Sequence, residues 1–199
     1  MAIEGAHEEH GCSHPSVIVA GDIIHMVYTG EAPAPPERRE ILYNVPTICH
    51  ATAPTGYPAQ VTKDPANPVF SGSGQAWDSE GIREAEIFKD AHFFHLFYGG
   101  YDGETWAIGH VRTRDFRTFS EPRRVFTLPA IAGWKVTPKT VGRSGDGRRY
   151  VFLAFCANAA AGKCGRPPSI PGEGVHAFVS TDVHHKPNNH THTHTHTHT

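Results

Sequence analysis

The sequence predicts an all-β fold of the propeller type, assembled from about three similar sheets. One strand pattern occurs three times. His14-Pro15-Ser16-Val17-Ile18 leads into Ile24-His25-Met26-Val27-Tyr28-Thr29-Gly30. Arg83-Glu84-Ala85-Glu86-Ile87 leads into Phe94-His95-Leu96-Phe97-Tyr98-Gly99-Gly100. Thr137-Pro138-Lys139-Thr140-Val141 leads into Val151-Phe152-Leu153-Ala154-Phe155-Cys156. The spacing is kept as well: Pro15 to Tyr28 and Ala85 to Tyr98 are both 13 residues apart. Finally, 20 Gly and 16 Pro break the chain into short apolar runs, and no long amphipathic helix emerges. A plain β-sandwich is the competing reading, because short strands at regular spacing suit it too.

Taken in order, each copy reads as inner strand, tight turn, apolar strand, longer loop and third strand. In the first copy the turn is Gly21-Asp22 and the third strand is Ile48-Cys49-His50-Ala51-Thr52. In the second, the turn follows Lys89-Asp90 and the third strand runs from Ile108 to a Thr113-Arg114-Asp115 turn signal. A fourth strand is expected at Arg123-Arg124-Val125-Phe126. In the third copy the turn is Ser144-Gly145-Asp146-Gly147, and Val175 to Asp182 supplies the third strand. The blades are expected at residues 12–72, 73–130 and 131–182, within one partial propeller spanning 1–182. Propellers typically close with about four to eight blades. Three leave open sheet edges that invite self-association, so the chain reads as a fragment, a degenerate copy or part of an oligomer.

Composition excludes several function classes. A formal net charge of −2 gives no electrostatic footing for nucleic acid or an anionic membrane surface. No apolar run approaches the roughly 20 residues that span a bilayer. The amino-terminal residues show neither a basic nor an apolar signal-peptide region, so a cytoplasmic location is expected. Cys12, Cys49, Cys156 and Cys164 have no zinc-ligand spacing and read as reduced thiols. Residues 183–199 end in alternating His and Thr, as a translated CA repeat would, and are expected to be disordered.

The second copy resembles a known group. Trp77-Asp78-Ser79-Glu80-Gly81-Ile82-Arg83-Glu84-Ala85-Glu86-Ile87-Phe88, Phe94-His95-Leu96-Phe97-Tyr98-Gly99-Gly100, Ile108-Gly109-His110 and Thr113-Arg114-Asp115-Phe116 are similar to the second blade of the five-bladed propeller glycoside hydrolases, families 43, 32, 62, 68, 117 and 130. That blade commonly reads Arg-Asp-Pro-x-Val/Ile-Phe, then Tyr-x-Leu/Met-Phe-Tyr-x-Gly, then Ile-Gly-x-Ala-x-Ser-x-Asp. Ala51 to Gly56 and Lys63-Asp64-Pro65-Ala66-Asn67-Pro68-Val69-Phe70 resemble the preceding blade ending in Asn-Pro-Val. The resemblance covers roughly residues 12–182 and implies a five-bladed architecture of which about three blades are present.

It also implies a chemistry. Glycosidic bond cleavage usually uses two carboxyl groups flanking the sugar, one protonated and one ionised. The resemblance implies three acids on successive inner strands. By position Glu84 matches the Asp of Arg-Asp-Pro and becomes the first catalytic candidate, while Arg83 becomes a substrate-binding one. Glu replaces the expected Asp, and Ala85 the expected Pro. The other two acid positions hold His14 and, in the third blade, the stretch near Val136 and Thr137, with Lys139 two residues on. His14 and Lys139 are therefore read as substrate-binding, and Asp78, in the loop entering the second blade, as the second catalytic candidate. Glu80, Glu8 and Glu9 are further acids within reach, and Asp102 reads as a turn residue. Trp77 is a candidate sugar platform and Trp134 holds the analogous place before the third blade, whereas Trp106 is expected to pack between blades.

No metal or cofactor is expected. The stretch His7-Glu8-Glu9-His10-Gly11-Cys12-Ser13-His14 is not His-Glu-x-x-His and reads by default as solvated. His25, His50, His95 and His110 recur at matching strand positions, which points to a structural role in each blade. No Ser-His-Asp set, phosphate-binding loop or dinucleotide fingerprint is present. The resemblance implies a glycoside hydrolase-like protein whose partner is a carbohydrate of the arabinoside, xyloside or fructoside class. Two alternatives stay open: a non-catalytic or vestigial carbohydrate-binding propeller, and a glycoside phosphorylase in which Arg83 and Lys139 meet phosphate.

Overall fold

The computed structural model describes residues 7–34, 36, 44–127, 134–143, 149–157 and 176–180; in the last three segments it describes backbone pairing and the burial of Pro138. The expected disorder of residues 183–199 lies outside the described residues. Among the described residues no helix is long and apolar enough to cross a membrane.

Among the described residues eleven strands form three antiparallel sheets, each in up-and-down order. The first contains β1 (Cys12–Ala20), β2 (Ile23–Pro33), β3 (Asn44–Pro54) and β4 (Thr62–Lys63). The second contains β5 (Gly81–Lys89), β6 (Phe94–Tyr101), β7 (Trp106–Thr113) and β8 (Arg123–Thr127). The third holds β9 (Trp134–Arg143), β10 (Arg149–Ala157) and β11 (His176–Ser180), with β10 in the middle. This is the propeller arrangement, and the fourth strand expected after Arg123 is present as β8.

Local chemistry sets the turns. Gly21 and Asp22 form a two-residue hairpin between the paired Ala20 and Ile23, and Gly21 takes the left-handed φ of 63° that such a turn needs. Asp90 closes the β5–β6 turn by accepting the backbone N–H groups of His92 and Phe93, both at 2.7 Å. Asp102 does the same for Glu104 and Thr105, so it is the turn residue the sequence suggests.

The core lies between the first two sheets. Val27 and Ile48 of the first pack with Phe70, Trp77, Ile82, Ala85, Ile87, Leu96, Tyr98, Val111 and Phe116. β6 is buried on both faces along nearly its whole length, which is why Phe94-His95-Leu96-Phe97-Tyr98 reads as a continuous rather than alternating apolar run. In the first sheet the edge strand β1 is left largely uncovered. Val17 stands at the step that Ile87 occupies in β5, yet Val17 is 55% exposed and Ile87 6%. Val19 is exposed beside it. The first sheet is thus the outer member of an open stack.

The repeated histidines form one device used twice. His25 Nδ1 lies 3.1 Å from His50 Nε2, and His95 Nδ1 lies 3.0 Å from His110 Nε2. Each pair ends on a carboxylate. His50 Nδ1 is 3.0 Å from Asp64 Oδ2, and His95 Nε2 is 3.1 Å from Asp90 Oδ2. Arg117, from the loop after β7, donates to Asp64 at 2.7 Å and ties the second sheet to the first. Phe116 stacks on His50 with ring centroids 3.8 Å apart. The structural role expected of these residues is this cross-strand bonding within each sheet, to which Arg117 and Phe116 add the link from the second sheet to the first.

Candidate functional site

The inner strands β1, β5 and β9 lie side by side, β1 against β5 and β5 against β9. Each breaks its ladder with its neighbour. In β1 the register slips between Ser13 and Ser16, so His14 and Pro15 share the space opposite Tyr28. In β5 it slips between Arg83 and Glu86, so Glu84 and Ala85 face Tyr98. In β9 Pro138 pairs with Leu153 and Thr140 with Phe152, which leaves Lys139 as the extra residue. A bulge turns a side chain out of its normal alternation, and bulges are enriched beside active sites.

The backbone at two of these bulges is left-handed. His14 has a φ of 52° and Glu84 of 55°, a region that non-glycine residues seldom occupy. The Glu84 N–H donates to Thr29 Oγ1 of the first sheet at 2.9 Å, which holds the turned backbone in place. As a result His14 Nε2 and Glu84 Oε1 stand 3.5 Å apart, with Glu84 buried and the His14 side chain 44% exposed. One step along, Ser16 Oγ donates to Glu86 Oε2 at 2.7 Å and accepts the Ile87 N–H at 3.2 Å. These bonds lock β1 to β5 directly behind the pair.

A second carboxylate that the sequence reading missed borders this pair. Glu31, near the end of β2, accepts Ser13 Oγ at 3.3 Å and also accepts the Asn44 amide. Ser13 Oγ lies 2.8 Å from His14 Nδ1, and Arg83 Nη2 reaches Asn44 Oδ1 at 3.4 Å. Glu31, Ser13, His14, Glu84, Asn44 and Arg83 are therefore linked in two short chains of polar contacts. Burial lowers the Arg83 guanidinium pKa, and the Glu31 charge opposes that shift. The Arg83 Nε–H is buried with no acceptor among the described residues, and its guanidinium lies over Trp106, 5.9 Å from the ring centroid. The signal for Glu31 was weak: an acid following Gly30 at a strand end looks like ordinary turn chemistry.

The remaining candidates lie elsewhere in the fold. Asp78 is buried at the end of a short 3-10 turn, Ala76–Asp78. It accepts the Ser73 N–H at 2.8 Å, the Ser73 hydroxyl at 2.5 Å and the Tyr98 hydroxyl at 3.2 Å. Both of its oxygens are engaged in fastening the loop to β6. Trp77 is 8% exposed, stacks on Tyr98 and donates to Gln75 Oε1 at 3.1 Å. Trp106, expected between blades, stacks on Tyr101 of its own sheet. The structure brings His14, Glu84 and Arg83 into one region and sets Asp78 and Trp77 into a separate packed layer over β6 and β7. Lys139 shares the bulged region by register. The amino-terminal acids also depart from their solvated default, because Glu8 is buried, accepts Tyr28 Oη at 2.5 Å and pairs with Lys63.

No protein-family model matches the chain, and no curated protein matches it either. Solved structures do. The β-1,2-mannobiose phosphorylase of Listeria innocua aligns with a TM-score of 0.58 at 13% identity, over 86% of this chain and 56% of its own. The GH32 β-fructofuranosidase of Bombyx mori aligns at 0.54 and 15%, over 73% of this chain and 30% of its own. The GH43 endo-arabinanase of Bacillus licheniformis aligns at 0.52 and 13%, over 78% and 53%. The chain thus spans between about a third and just over half of these proteins. Over the part of their length that it spans, it has the fold of the β-propeller glycoside hydrolases and phosphorylases.

Proposed function

We propose that this chain recognises a glycoside of the arabinoside, xyloside or fructoside class at the bulged ends of its inner strands. Glu84 and His14 contact sugar hydroxyls, and Arg83 and Lys139 supply the flanking positive charge. The observation that carries the reading is the pair of left-handed bulges that turn His14 and Glu84 toward each other between two sheets. Holding a buried carboxylate and a half-exposed imidazole in such a backbone costs stability, and binding a polyol is a use that offsets it.

Glycosidic hydrolysis is a second reading, favoured by Glu31. It supplies the second carboxylate that hydrolysis needs, on the Ser13–His14 side of the site, whereas Asp78 lies in the packed layer over β6 and β7. The test is a screen of arabino-, xylo- and fructo-oligosaccharides by calorimetry, with product analysis in the presence and absence of phosphate. The binding reading expects a binding isotherm that weakens roughly ten- to hundredfold in Glu84→Gln and no product. Product lost in both Glu84→Gln and Glu31→Gln supports hydrolysis, and a strict phosphate requirement supports phosphorolysis. No binding to any of the three sugar classes overturns the proposal.

A further inference from the structure

Away from the inner strands, the turn ahead of β1 meets the middle of the first sheet on its outer side. A ring nitrogen of His7, a carboxylate oxygen of Glu8 and Cys49 Sγ all lie within 4.8 Å of one another. Glu8 and Cys49 are buried and His7 is half-buried, which is unlike a chance surface cluster. The turn is held in place by the backbone. The His10 N–H donates to the Glu31 carbonyl at 2.9 Å, the Gly11 N–H to the Glu8 carbonyl at 2.9 Å, and the Glu31 N–H to the Gly11 carbonyl at 3.0 Å.

The space between these ligands is kept by a missing side chain. A Cβ on Gly30 would meet both Cys49 Sγ and the His7 carbonyl at 2.7 Å. Only glycine lets the turn approach the thiol across β2. Thr47, two residues before Cys49 and on the same face of β3, has a buried hydroxyl whose polar neighbour is the Cys49 thiol. The Tyr28 hydroxyl caps one Glu8 oxygen and Lys63 the other, and Lys63 is exposed enough to move aside.

We propose that His7, Glu8 and Cys49 form a three-ligand site for a divalent cation of the zinc class. The donor set is one nitrogen, one oxygen and one sulfur, which suits zinc rather than calcium or magnesium. Zinc–ligand bonds of about 2.0–2.3 Å in a tetrahedral frame place ligand atoms roughly 3.3–3.8 Å apart, so small side-chain rotations close the present geometry. Coordination replaces the Cys49 thiol proton, which passes to water. The fourth position faces Thr47 or solvent. A bound ion would clasp the segment before β1 onto β3 and thereby anchor the inner strand that carries His14.

The test is a cobalt(II) titration of the full chain, read by the near-ultraviolet charge-transfer band that only a cobalt–thiolate bond produces. The alternating histidines of residues 190–199 bind cobalt through nitrogen and give no such band. One equivalent of cobalt is expected to raise the band and zinc to bleach it. His7→Ala and Cys49→Ser lose it, while Cys12→Ser keeps it. His7 is only half-buried, so its variant separates loss of ligation from loss of fold, with circular dichroism as the check on both. Absence of the band in the wild-type chain, or its survival in folded His7→Ala or Cys49→Ser, overturns the site.

Discussion

His14 and Glu84 occupy the same step of successive inner strands, share a left-handed backbone and meet across the sheet boundary at 3.5 Å between Nε2 and Oε1. Repetition explains the match, since both lie in the bulge one residue ahead of a Pro15 or Ala85. The fold has placed two chemically different side chains at equivalent positions, so that an imidazole faces a carboxylate. Replacing Glu84 by Gln keeps the shape and removes the charge. A charged hydrogen bond contributes about 1.5–3 kcal/mol, so glycoside affinity is expected to fall roughly ten- to hundredfold, measured by calorimetry. His14→Asn, which tolerates the same backbone, is expected to weaken binding while leaving the melting temperature within a few degrees.

Ser16 joins the first and second sheets, donating to Glu86 and accepting from Ile87 N–H. Ser16→Ala removes the acceptor of the Ile87 N–H and one donor to Glu86. The expected loss is about 1–3 kcal/mol, the cost of leaving a buried polar group unsatisfied. Urea denaturation checks it, and an unchanged midpoint would mean that these bonds are not formed in solution.

Gly100 and Gly109 let Trp77 lie flat on the second sheet. A Cβ on Gly100 would sit 2.7 Å from Trp77 Cζ3 and 2.8 Å from Asp78 Cβ, and one on Gly109 would strike the Tyr98 ring. Gly100→Ala is expected to destabilise by about 1–3 kcal/mol through overpacking. Trp77 would shift toward solvent, seen as a red shift of tryptophan emission. Emission identical to wild type would argue against this packing.

Acid is expected to loosen the two histidine–carboxylate networks in two stages. Burial lowers the pKa of His25 and His50; for His50, the Asp64 carboxylate partly offsets this. The unfolded chain therefore binds protons near the ordinary histidine value of about 6.5 while the folded chain resists them. Stability is full above that pH and declines as pH falls through it. Burial alone would raise Asp64 and Asp90, but hydrogen bonds outweigh it. Arg117, His50 and the Ala66 N–H hold Asp64 well below the usual carboxylate range, and the His92 and Phe93 N–H groups with His95 do so for Asp90. Their contribution is present above about pH 4 and is lost as pH drops further. A series of melting temperatures from pH 8 to pH 3 should show both declines, and a flat profile between pH 7 and pH 5 would contradict the histidine part.

Alternation, turn residues and spacing are local properties, so the strand pattern, the repeat and the residues at each inner-strand step can be read directly from the chain. The inner-strand places of Glu84, Arg83, His14 and Lys139 were legible because the repeat sets them beside Pro15, Ala85 and Pro138. The repeated histidines were legible as structural for the same reason. Tertiary structure alone decided which side chains meet. Glu31 became a neighbour of Ser13 and Asn44 because three strand ends converge there. Asp78, an acid in a promising loop, was claimed by Ser73 and Tyr98. Glu8 was drawn from an apparently solvated segment into the outer side of the first sheet, against Tyr28 and Cys49. None of these outcomes has a short-range signature, since each depends on contacts between residues far apart in the chain. Such contacts form only once the sheets have packed and the competition for each buried polar group has been resolved.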